Sequence, residues 1–183
     1  TEIKIGERAG LPDGEIFIRA PTQMSGHYGS ATSPIDDDGW LSTGDLGRMD
    51  EAGYIWITGR SKDLIIMGEE TVAPAAVEQA LVAAPGVRDA VVFGLSHRDL
   101  GEEVAAVVVV DEGYGAAAIE AHMRMRVASF AVPTWWRFQT DPLPVNPTGK
   151  VDKPAVVAQV RAALAEQRAS SWGAHRCRAH RRR

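Results

Sequence analysis

From residue 64 onward the apolar positions follow an α/β pattern. Ala90-Val91-Val92-Phe93-Gly94 and the run from Val104 to Val110 are continuously apolar and rich in Val. Runs this short are strands of a sheet interior, covered on both faces. Three segments around them carry a helical period instead. Pro74 to about Ala84 places Val77, Ala80, Leu81 and Ala84 on one face, with Pro near its first turn. Ala116 to Ser129 spaces Ile119, His122, Met123 and Arg126 along a helix, and Lys153 to Gln167 aligns Val156, Val157, Val160 and Leu164. Trp135 to Gln139 reads as a further strand.

Residues 2–60 are patterned differently. Glu15-Ile16-Phe17-Ile18-Arg19 and Gly53-Tyr54-Ile55-Trp56-Ile57-Thr58 alternate polar with apolar, the period of half-buried strands. Pro12-Asp13-Gly14, Asp38-Gly39 and Asp50-Glu51-Ala52-Gly53 supply the turns between strands. No helical period accompanies them, so this sheet needs another body to pack on. The period changes between Gly59 and Asp63. The expected fold class is therefore α+β, with a β-rich unit over 1–59, a junction at 60–63 and a small α/β unit over 64–166.

Composition narrows the picture. Hydrophobic residues make up 45% of the 183, enough for a packed core. No apolar run reaches the length of a membrane span. The chain starts Thr1-Glu2-Ile3-Lys4, without Met or a basic-then-apolar leader. A single Cys177 excludes an internal disulfide framework and suits a cytoplasmic location. Net charge is −4, yet the last seventeen residues hold six Arg and no acid, which leaves the first 166 at −10. Such a body has no basic stripe for nucleic acid, and residues 167–183 read as an unstructured Arg-rich tail. The five His show no metal-ligand spacing, so no metal site is expected from these residues.

Three polar segments remain to be explained: Ser42-Thr43-Gly44-Asp45-Leu46-Gly47, Gly59-Arg60-Ser61-Lys62-Asp63-Leu64-Ile65-Ile66 and Asn146-Pro147-Thr148-Gly149-Lys150. A carboxylate such as Asp45 can accept two hydrogen bonds from the vicinal hydroxyls of a ribose. Taken alone, an Asp in such a turn more often stabilises the turn itself. Arg60, closing a strand, can reach ribose and phosphate oxygens with its planar fork, or pair with a nearby acid. Lys150 sits on a Gly-containing loop where backbone approaches a ligand closely. A Walker A loop is excluded, because Pro144 and Val151 occupy positions that it reserves for Gly and for Ser or Thr.

In this order, the three segments resemble the last three signature segments of the adenylate-forming enzymes: acyl-CoA synthetases, peptide-synthetase adenylation domains and luciferase. The resemblance covers Glu2 to about Ala165. It implies that residues 1–59 close a large N-terminal domain, that 60–63 are a hinge and that 64–166 are a small mobile C-terminal domain. The family's Ser/Thr/Gly-rich phosphate loop has no counterpart here, so the chain reads as the C-terminal part of a larger enzyme, inactive when isolated.

The resemblance also implies residue roles. Asp45 and Arg60 would bind nucleotide, Lys62 would be the hinge residue, and Lys150 would be catalytic, orienting carboxylate and α-phosphate and stabilising the charge that builds there. Met67, Gly68, Glu69 and Glu70 would form the loop lining the pantetheine tunnel, with Glu69 where relatives carry Gly. Ala131 stands where a basic residue is common. The implied activity is an AMP-forming acid–thiol ligase. ATP, CoA and a carboxylic acid, expected to be a fatty acid, are its substrates, and the Mg2+ ligands lie mostly in the absent N-terminal part. Two alternatives are an adenylation domain loading a carrier protein and a non-catalytic binding module.

Overall fold

The computed structural model describes residues 1–7, 13–29 and 31–179, with side chains described as far as Gln167. The first unit is a four-stranded antiparallel meander: β1 (Glu2–Gly6), β2 (Gly14–Arg19), β3 (Leu41–Met49) and β4 (Ile55–Arg60). A 3-10 turn over Ser61–Asp63 leads into a five-stranded sheet. Its strands are β5 (Ile65–Met67), β6 (Glu70–Val72), β7 (Val87–His97), β8 (Gly101–Val110) and β9 (Trp135–Gln139). The helices are α1 (Pro74–Val82), α2 (Ala116–Arg124) and α3 (Lys153–Ala179).

β8 organises the second unit. β7 pairs antiparallel along its whole length, while its other edge takes β5 at Gly101 and β9, in parallel, from Ala105 to Val109. The continuous Val run thus lies inside the sheet, as its pattern predicts. The pleat then sorts the side chains onto two faces. Val104, Ala106, Val108 and Val110 join Val92, Leu81, Ile119 and Met123 under α1 and α2. Val107 and Val109 join Val91, Phe93, Val156 and Val160 under α3. Both clusters belong wholly to residues after the junction.

The helices follow their expected faces, with two differences at their ends. α1 starts at Pro74, whose missing N–H costs nothing at a first helical position. α2 stops at Arg124 rather than Ser129, because the chain folds over there. Val127 packs beside the core, and a 3-10 turn over Ser129–Ala131 buries Ala131 before Pro133. α3 continues to Ala179, where an unstructured tail was expected from Gln167. Ala163, Ala165, Gln167 and Ala169 are strong helix formers, and no Pro interrupts the run. Residues 180–183 lie outside the described part.

The meander is held differently. Arg19 grips Glu2 through two hydrogen bonds, at 3.1 and 2.6 Å, and both Arg19 and Lys4 lie over the Trp40 ring, at 4.6 and 4.4 Å. Among its described residues Ile16, Leu41 and Leu46 are the buried apolar side chains, whereas Tyr54, just before β4, and Trp56 and Ile57 within it are exposed. β4 lies against α1; a Cβ built on Gly59 would sit 3.9 Å from that of Ala75. Among the described residues no helix is long and apolar enough to cross a membrane.

Candidate functional site

Thr43-Gly44-Asp45 does not form the free turn expected of it. It lies within β3 as a bulge: Phe17 pairs with Ser42 and Glu15 with Leu46, so three β3 residues oppose Ile16 alone. Gly44 absorbs the extra length at φ +72°, a region that costs other residues about 1–2 kcal/mol. Thr43 fastens the bulge. Its hydroxyl donates to the Ile16 carbonyl at 2.7 Å and accepts from the Asp45 amide at 3.1 Å. The Asp45 carboxylate is thereby aimed along the sheet instead of into its own turn.

A second irregularity, between β3 and β4, sets Asp45 opposite Arg60. Arg60 Nε donates to Asp45 Oδ1 at 2.9 Å. Both sequence candidates for nucleotide contact therefore meet at one place, and each is the other's partner. Arg60 and Lys62 border a cavity of about 320 Å³ that Glu15, Ser42, Thr43 and Gly44 also line. Ser42 donates its hydroxyl to Glu15. The same two cations also line a larger cleft of about 730 Å³, together with Glu102, Lys153 and Arg161. Arg60 and Lys62 thus line both cavities.

Lys150 is on a different element. Its backbone is fixed by an Asx turn: Asn146 Oδ1 accepts from the Thr148 amide, the Thr148 hydroxyl and the Lys150 amide at 3.0, 2.7 and 3.0 Å. Gly149 takes φ +79° there. The Asn146 amide donates to the Lys150 carbonyl at 2.7 Å, and Val145 bridges Val151. Lys150 is exposed and lines neither cavity, although its neighbour Val151 lines the larger one.

The segment Met67 to Glu70 is a tight hairpin, with Met67 paired to Glu70 and only Gly68 and Glu69 in the loop. Gly68, at φ +62°, occupies the first central position that such hairpins reserve for Gly. Its amide donates to the Leu100 carbonyl at 2.8 Å, which ties the hairpin to the β7–β8 connection. Glu69 is exposed in the second loop position. Ala131, the other departure, is 8% exposed within the α1/α2 core; the small residue fits a packed position.

Sequence reasoning passed over two carboxylates that the structure makes prominent. Glu102 accepts the Ile66 amide at 2.9 Å, steadying β5 just after the junction. Glu78 on α1 accepts the Val92 amide and both-oxygen contacts from Lys153. Neither carries a sequence signal, since their partners are 36, 14 and 75 residues away. Among the described residues no group of three or more His, Cys, Asp or Glu side chains could hold a metal ion.

The profile of the AMP-binding enzyme C-terminal domain matches residues 76–150, from the first turn of α1 to Lys150. A 3-[(3aS,4S,7aS)-7a-methyl-1,5-dioxo-octahydro-1H-inden-4-yl]propanoyl:CoA ligase of Mycobacterium tuberculosis is 44% identical over 147 residues, covering 78% of this chain and 29% of the relative. A long-chain-fatty-acid–CoA ligase of the same species is 35% identical over 155 residues, covering 83% of this chain and 31% of the relative. Among solved structures, ATP-bound MatB from Rhodopseudomonas palustris superposes with a TM-score of 0.74 at 36% identity, over 85% of this chain and 33% of that one. The chain thus spans just under a third of the length of the proteins it matches. Motif order, fold and these matches agree that residues 76–150 are an AMP-binding enzyme C-terminal domain, and that most of the chain is similar to the corresponding part of acyl-CoA ligases.

Proposed function

We propose that the chain supplies the C-terminal portion of an AMP-forming acyl-CoA ligase. The observation that carries this reading is the meeting of Asp45 and Arg60 at the junction of the two sheets, immediately before Lys62. In the first half-reaction a carboxylate oxygen attacks the α-phosphorus of ATP. The bond to the β-phosphate oxygen breaks, pyrophosphate leaves and acyl-AMP forms. Asp45 accepts from the ribose hydroxyls, Arg60 steadies ribose and phosphate oxygens, and Lys150 orients carboxylate against phosphate while offsetting the charge that accumulates.

In the second half-reaction a thiolate sulfur attacks the acyl carbonyl and AMP leaves. The 3-10 turn over Ser61–Asp63 absorbs the dihedral change as the second unit rotates. The hairpin of Met67, Gly68, Glu69 and Glu70 then swings toward the thiol. CoA is the acceptor in this reading, as in the names of both ligases above, and a fatty acid is the acyl donor, as in the name of the second.

The test uses the full-length gene product. Lys150→Ala is expected to cut acyl-AMP formation by about 100-fold or more, the scale of a lost charge-stabilising group, with thioester formation from preformed acyl-AMP nearly intact. Equal loss in both half-reactions sinks the assignment. The purified 183-residue chain alone is expected to turn over no ATP, because positioning needs groups from both bodies around one ligand. Acylation of a carrier protein but not of CoA would redirect the reading to a carrier-loading enzyme.

A further inference from the structure

We propose that Glu78 is a positioning residue for Lys150, acting through Lys153; this rests on the catalytic reading of Lys150 above. Glu78 projects from α1 and its side chain is only 17% exposed. A carboxylate so enclosed needs partners, and it has two kinds. Oε1 accepts the Val92 amide at 2.9 Å, on the edge of β7 that no strand covers. Both oxygens accept from Lys153 Nζ, at 2.8 and 2.9 Å. One carboxylate therefore fastens α1, β7 and the first residue of α3.

From Lys153 back to Lys150, successive backbone positions are held. Asp152 caps α3, its Oδ1 accepting the Ala155 amide at 3.0 Å, while its own amide donates to the Pro144 carbonyl at 2.8 Å. Val151 bridges Val145, and the Lys150 carbonyl accepts from Asn146. The turn bearing Lys150 is thus a short rigid extension of the start of α3. The body of α3 is docked independently, by Val156 and Val160 on the opposite face of the sheet. Loss of the clamp leaves the helix in place but frees Lys153 at its start, and with it the segment back to Lys150, to shift. A displacement of about 1 Å at a catalytic group costs on the order of 100-fold in rate.

Half-reactions of the full-length gene product, compared for Glu78→Gln, Lys153→Gln and the double variant, test this. Each single change is expected to lower kcat for acyl-AMP formation by about 10- to 100-fold. KM for ATP and the rate of thioester formation should stay within about threefold, and the double variant should be no worse than either single one, as for two partners in one interaction. Unchanged adenylation, or a parallel fall of both half-reactions with thermal stability, overturns the proposal. Amide resonances of Asn146 to Lys150 in the 183-residue chain give a readout independent of catalysis. They should shift in Glu78→Gln, and an undisturbed turn overturns the clamp. Lys150→Ala, run alongside, separates the two readings. If adenylation is intact there, the role of Lys150 falls and takes the catalytic consequence of the clamp with it. If Lys150→Ala is impaired beside an unimpaired Glu78→Gln, the clamp alone falls.

Discussion

Asp45 and Arg60 face each other across the β3–β4 ladder, with Nε 2.9 Å from Oδ1, a single bond that engages one oxygen of the carboxylate and one nitrogen of the guanidinium. Their side chains are 27% and 57% exposed, so the pair contributes little to folding, at most about 1 kcal/mol as for other surface pairs. We predict that Arg60→Ala leaves the unfolding free energy of the chain within that margin. Asp45→Asn in the full-length enzyme should raise KM for ATP about tenfold or more, the worth of a charged hydrogen bond. A large stability loss with unchanged KM would make the pair structural.

Leu81 and Val145 offer a contrast between an interior and a surface apolar side chain. Leu81 is fully buried between α1 and the sheet, whereas Val145 is 62% exposed. Leu81→Ala is predicted to destabilise by about 2–5 kcal/mol, the range for a cavity left in a core. Val145→Ala should stay within about 0.5 kcal/mol. Denaturant melts of the two variants decide it; similar losses would mean that the second unit is not packed as described.

Two glycines of β3, Gly44 in the bulge and Gly47 beyond it, should respond to Ala for different reasons. A Cβ at Gly44 meets nothing within 4 Å, so only its positive φ is strained, at about 1–2 kcal/mol. At Gly47 the added Cβ would lie 2.4 Å from the Trp56 carbonyl oxygen and 2.9 Å from Ile16 Cδ1. That clash forces β3 and β4 apart, and we predict that Gly47→Ala destabilises the meander more than Gly44→Ala. Equal effects in thermal melts would contradict the register of the β3–β4 pair.

How much of this was legible beforehand differs between the two units. Val104 to Val110 announced an interior strand, and Pro74, Val77 and Leu81 announced α1, because burial on a regular element leaves a period in the sequence. β3 left none: Leu41–Met49 spends Gly44 and Gly47 on a bulge and a close approach, so neither alternation nor a simple turn describes it. The motif residues were recognisable as a set, yet the pairing of Asp45 with Arg60 depends on two register shifts that no residue type encodes. Glu78 was invisible for a similar reason. A Glu on a helix face reads as solvated until its partner 75 residues away is in place.

The Glu2 carboxyl titrates below its ordinary value of 4.5, first because Arg19 donates hydrogen bonds to it and then because of that residue's charge. A carboxyl lowered in the folded state adds stability above its unfolded value, and this is lost as pH falls through the folded value. The tie between β1 and β2 should therefore persist at neutral pH and loosen only in acid below 4.5. Carboxyl NMR titration of Glu2 checks this: the midpoint should return toward 4.5 in Arg19→Ala. An unmoved midpoint would dismiss Arg19 as the cause.

Both apolar clusters lie beyond the junction, and the described residues of the meander before it contribute three buried apolar side chains and a row of exposed ones at the start of β4. Heating the isolated chain should therefore not give a single cooperative transition. Residues 1–60 should melt first, and a protease should find the Ser61–Asp63 turn while residues 64–167 still resist. Cooperativity across the junction would then be a property that the chain acquires only from whatever covers Tyr54, Trp56 and Ile57.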